Sequence, residues 1–209
     1  MPSTKTLREG SAAKRAAILA AARDLFLNDG FDRTSVDAVS ARAGVSKRTV
    51  YDYFGDKNTL LQSVVTGISD ALVATVQRTV DATLARVTDP EQLEGAFVDF
   101  SLRIVSDMLG SAEYVTLLKL LGGEGNLNEA PFRDAPEEAV AAQLAVLAQA
   151  GLIVAPDPRL AADHLIALTF AVVLNRHGST VIPIADERVR YLVTEGVRAF
   201  LRAYAVHRI

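Results

Sequence analysis

The chain has 209 residues, 50% hydrophobic and 22% charged, with 13 glycines and 7 prolines. That composition excludes low-complexity disorder and points to one or two folded domains. The absence of cysteine excludes a disulfide framework, a thiolate zinc site and a cysteine nucleophile. The formal net charge of -3 argues against a nucleic-acid binder on average, but the average hides a split. Residues 1–60 hold ten Lys/Arg against seven Asp/Glu, and the rest of the chain holds twelve against eighteen. An anionic partner therefore belongs to the head, not to the acidic body.

The hydrophobic periodicity is helical nearly throughout, with no two-residue alternation to suggest strands. Residues 11–28 set Ile18, Ala22, Leu25 and Phe26 on one face, and Asn28-Asp29-Gly30 ends that helix. Thr34-Ser35 opens a short helix that turns Val36, Val39 and Ala43 inward, with Thr34 as cap and Asp37 in the first turn, where it suits the helix dipole. Gly44 stops it. Ser46 caps a second short helix ending near Phe54, and Gly55-Asp56 restarts the chain into a long helix from Lys57 to Val87.

Pro90 marks the next boundary, followed by helices over 91–108 and 112–121 and a loop at 122–126. An Ala-rich helix over 131–150 closes at Gly151. Pro156 and Pro158 frame the start of an apolar helix over 159–176, and a last helix spans 185–205 with Val189, Leu192, Val193, Val197, Phe200 and Leu201 as its stripe. The first fifteen residues are polar and lack the pattern of an export signal. The longest apolar run, Leu165–Leu174, falls short of the roughly 20 residues of a membrane span. A cytoplasmic protein without membrane contact is the expectation.

Residues 34–54 have helix-turn-helix spacing. Val36 and Val39 brace the first helix, Gly44 permits the tight turn, and Val45, Val50 and Phe54 anchor the second. Lys47, Arg48 and Thr49 then face outward from the first turn of the second helix. In this geometry the N-terminal residues of the second helix reach base edges in the major groove. Arginine can pair bidentately with guanine, and lysine can reach guanine or phosphate.

The stretch TSVDAVSARAGVSKRTVYDYFGDKNTLL resembles the DNA-binding signature of the TetR/AcrR transcriptional regulators, and the preceding AILAAARDLFLNDGFDRT resembles that family's first helix and turn. The resemblance implies an all-α fold. A three-helix DNA-binding domain would occupy residues 1–56, with 1–10 a flexible arm, and a helical ligand-binding and dimerisation domain would occupy 57–209. It implies phosphate contacts from Thr34, Ser35, Tyr51, Tyr53 and Lys57, and base and backbone contacts from Lys47, Arg48 and Thr49, with Ser46 opening the recognition helix. Arg48 stands where the family often has a small residue, and Tyr53 where it often has histidine. The arm is either a solvated tail or a further phosphate or minor-groove contact.

The segment GLIVAPDPRLAADHLIALT is similar to a common C-terminal subtype of the family. By that likeness the helices at 159–176 and 185–205 form a homodimer interface, and a small apolar or amphipathic effector sits in the body. Phe97, Phe100, Met108, Tyr114, Leu118, Phe170 and Asn175 are the candidate pocket residues, although Phe97, Phe100 and Phe170 suit a plain core better than a ligand contact. The function expected is a repressor released from a palindromic operator by its effector, with helix 57–87 as lever. The alternatives are a regulator without an inducer, an activator, an interaction module or, last, an all-helical enzyme. Three histidines and no clustered acids supply no metal set, GGEG at 122–125 lacks the tail of a phosphate loop, and no cofactor is expected.

Overall fold

The computed structural model describes residues 4–111, 114, 135–177 and 186–206. Every regular element among them is helical. They are α1 (Thr4–Asp29), α2 (Val36–Ala43), α3 (Lys47–Phe54), α4 (Lys57–Ala82), α5 (Leu93–Leu109), α6 (Ala135–Gln149), α7 (Pro158–Ile166), α8 (Val172–His177) and α9 (Glu187–Tyr204). Short 3-10 turns at Leu84–Arg86 and Pro90–Gln92 join α4 to α5. The chain divides into two compact units, Met1–Ile68 and Ser69–Ile209, and the division falls inside α4.

The first unit has a small core of its own. Ile18, Ala22 and Phe26 of α1 meet Val36 and Val39 of α2, Val50 and Phe54 of α3, and Leu60 and Val64 of α4. Phe31 packs edge-on against Phe26 at 5.4 Å. These are the positions that the apolar spacing selects. Gly44 ends α2 with φ of 65°, a left-handed conformation costly for any residue with a Cβ. The first helix begins at Thr4. One expectation is corrected here. The cap of α2 is Ser35, whose Oγ accepts from the Ala38 amide at 3.1 Å. Thr34 is buried instead, and its hydroxyl donates to the Gly30 carbonyl at 2.8 Å.

The second unit is built on α5, α6, α7 and α9. Phe97, Leu109, Leu144, Leu165, Val193 and Phe200 are buried at its centre. Phe200 lies between Phe97, at 5.3 Å, and Tyr204, on which it stacks at 4.6 Å. Asp157 caps α7 through the Leu160 amide, with Pro158 at the first helical position. A π-helical turn at Ala167–Ala171 interrupts the single helix expected over 159–176. The widened turn lies against Gly196 of α9, where a Cβ would collide with the Leu168 carbonyl oxygen. Beyond α9 the chain returns to Ile153, which pairs with Ala205 in an isolated antiparallel bridge.

The stretch Lys57–Arg86 is long and apolar enough, by length and composition, to cross a membrane. Its polar residues interrupt every apolar run, which is why the sequence points to 165–174 instead. Several of its apolar side chains are buried within the two units, Leu60 and Val64 in the first core and Val76, Val80 and Leu84 in the second.

Candidate nucleic-acid interface

The surface of interest starts with two helix caps. Ser46 opens α3, its Oγ accepting from the Thr49 amide at 3.1 Å and pairing with the Thr49 hydroxyl at 2.8 Å. The cap fixes the direction of the first turn, and burial of Val50 and Phe54 fixes its rotation. Lys47 and Arg48 are thereby left on the outer face. The Arg48 side chain is 90% exposed, with the Asp52 carboxylate 3.9 Å away. Lys47 reaches across to α2, its Nζ 3.0 Å from the Asp37 carboxylate. The hydrogen bond and then the charge of Asp37 hold the Lys47 ammonium above its ordinary pKa. Tyr51 and Ser35 are exposed, and Thr49 is half-buried.

Two expected contact residues are held by neighbours. The Tyr53 hydroxyl donates to the Ser11 carbonyl at 3.1 Å and lies 2.7 Å from the Ser11 hydroxyl. A phenol has one proton, so the Ser11 hydroxyl donates back to it. Lys57 Nζ lies 4.2 Å above the Phe31 ring and 3.5 Å from the Asp32 carbonyl. Arg15 similarly covers Phe54 at 5.4 Å. Thr34 has its hydroxyl directed inward, so it offers no hydroxyl to a phosphate. Sequence reasoning missed Ser11 and the Lys47–Asp37 pair. Ser11 lies 42 residues from Tyr53, and no local pattern joins them.

The candidate effector residues are distributed through the second unit. Phe97, Phe100 and Met108 are buried in its core. Tyr114 and Phe170 are half-buried and meet edge-on at 6.2 Å. Burial, and secondarily the charge of Glu137, pushes the Tyr114 phenol up to about 12, so it remains a neutral hydrogen-bonding group near pH 7. Asn175 is exposed, and Leu118 lies outside the described residues. An open groove of about 350 Å³ runs along Thr83, Arg86, Val87, Gln92, Ala96 and Asp99. It shares none of the candidate residues.

Residues 18–64 match the family described as bacterial regulatory proteins, tetR family. Residues 106–206 match the AefR-like transcriptional repressor, C-terminal domain. The chain belongs to the TetR family of transcriptional regulators. As a member of this family it is a helix-turn-helix DNA-binding transcriptional regulator. A TetR-family regulator from Mesorhizobium loti is 27% identical, with a TM-score of 0.80 over 94% of this chain and 98% of that one. The flavonoid-responsive regulator FrrA is 25% identical, with a TM-score of 0.69 over 93% of this chain and 98% of that one. The transcriptional activator FasR of Mycolicibacterium smegmatis is 31% identical over 87 residues, 42% of this chain and 40% of FasR. The chain spans 21%, 32% and 40% of the lengths of the curated relatives it matches, and those matches are therefore partial.

Proposed function

We propose that this TetR-family regulator is a homodimeric repressor that binds a palindromic operator in double-stranded DNA and is released by a small apolar or amphipathic effector. The observation that carries the DNA contact is the capped first turn of α3, which presents Lys47 and Arg48 outward from a rigid base. Two such turns, one from each protomer, enter successive major grooves when they stand about 34–36 Å apart. Pairing is assigned to the 159–176 and 185–205 segments. Leu160 and Tyr191 are exposed there, and Leu168, Phe170, Leu174 and Leu192 are only partly buried. The match of residues 106–206 to a repressor's C-terminal domain supports the sign of regulation. The likeness to a flavonoid-responsive regulator supports an effector. An effector that prefers a dimer with its heads out of register weakens DNA affinity by linkage. Such a protein works in the cytoplasm, where the chromosome is.

Selection from random duplexes, followed by a salt titration on the selected site, tests the reading. The expected slope of log K against log salt is about −0.9 for each phosphate neutralised. A flat dependence, or failure to select any site, overturns it. A promoter fusion decides between repression and the activation suggested by the likeness to FasR.

Arg48→Ala is expected to cost roughly 1–3 kcal/mol on the selected site and to relax one base position. Its exposure and long distance from Asp52 mean that the loss is not one of folding. Binding measured on duplexes varied at each position checks this, and an equal loss on all of them reassigns Arg48 to the backbone.

A further inference from the structure

The two cations of the recognition turn have different surroundings. Arg48 is 90% exposed and faces only Asp52 of its own helix, at 3.9 Å, whereas Lys47 is engaged at 3.0 Å by Asp37, a residue of the other helix of the motif. The Lys47 and Asp37 side chains are 51% and 68% exposed. An ion pair this exposed is worth only about 0–1 kcal/mol, too little to explain the packing of α2 on α3. Val36, Val39, Val50 and Phe54 supply that packing. Nor is Asp37 needed to cap α2, because Ser35 does so. Asp37 suits the dipole of α2 wherever its side chain points within that turn, so the dipole does not require its reach to Lys47, and the pair spans the two helices of the motif.

We propose that Asp37 is a specificity-determining positioning residue, which holds Lys47 away from backbone phosphates and toward the contacts that a selected sequence offers. This rests on the DNA-binding reading above. Phosphates are identical on every duplex, so a lysine free to swing onto them strengthens all complexes alike. A lysine restrained by a neighbouring carboxylate must leave that partner to reach a phosphate, and the carboxylate then faces the phosphate with like charge. Two ammonium protons remain for base edges while the pair is intact. The arrangement suppresses binding to arbitrary DNA more than binding to the operator.

The test uses the full chain and four proteins: the parent, Asp37→Asn, Lys47→Met and the double variant. Each is titrated on the selected site and on a random duplex of the same length across a salt series. Asp37→Asn keeps the side chain's size and removes its charge. It is expected to bind the random duplex about 3–10-fold more tightly, with a salt slope steeper by about one phosphate. The selected site is expected to gain less, so the specificity ratio falls. Lys47→Met is expected to weaken the selected site more than the random duplex. In the double variant the gain on random DNA is expected to vanish, because it acts through Lys47. An unchanged random-duplex affinity in Asp37→Asn, an equal gain on both duplexes, or a gain that survives without Lys47 overturns the proposal. If the parent itself shows no salt-dependent duplex binding, the failure lies with the DNA-binding reading. A binding parent with an unresponsive Asp37→Asn refutes the role of Asp37 alone.

Discussion

Phe26→Ala is expected to abolish duplex binding without touching any residue of the contact surface. Phe26 is 1% exposed and sits where α1 meets α2 and α3. Truncating a buried phenylalanine costs about 3–5 kcal/mol, from lost transfer energy and the cavity left behind. The first unit is small, and small units bury a low fraction of their surface and have little stability to spare. The loss therefore removes the base on which Lys47 and Arg48 are presented. Calorimetry and duplex binding by fluorescence anisotropy measure it together, and Phe26→Leu is expected to restore most of both. Parental affinity and Tm in Phe26→Ala would show that the surface does not depend on this core.

Gly196→Ala is expected to destabilise the second unit, against the usual direction for glycine in a helix. In an open helix the change would stabilise by about 1 kcal/mol. Here the new Cβ would meet the Leu168 carbonyl oxygen inside contact distance, with the carbonyl carbon at 2.8 Å and Thr169 Cγ2 at 3.3 Å. A backbone carbonyl cannot rotate aside as a side chain can. Overpacking of this kind costs about 1–3 kcal/mol and more where backbone must shift, so the clash outweighs the propensity gain. A net loss of about 2 kcal/mol corresponds to a fall in Tm of about 4–8 °C for a chain of this size. An unchanged or raised Tm would mean that α9 can draw back from the π turn at no cost.

The legible parts of the molecule are those governed by local rules. Ser46, Gly44 and the spacing of Val36, Val39, Val50 and Phe54 specify the motif within about twenty residues, and every one of them acts as its residue type suggests. The assignment of the α2 cap slipped by one position, because Thr34 and Ser35 are both competent caps. Burial decided between them by turning Thr34 inward. Long-range features left no trace. The Tyr53–Ser11 link joins residues 42 apart, and Lys47–Asp37 joins two charges that also read as an ordinary solvated face. The π turn is invisible because one extra residue in a turn barely disturbs an apolar run. The effector site was least legible, since an apolar pocket and an apolar core draw on the same residues.

The paired hydrogen bonds between Ser11 and Tyr53 make the recognition helix answerable to the first half of α1. Loss of the turn of α1 that carries Ser11 would leave a bare phenol beside the reading head, whereas replacing Ser11 alone would remove the hydroxyl bond and keep the bond to the carbonyl. Variants that differ only in this turn of α1 would then differ in how they grip DNA.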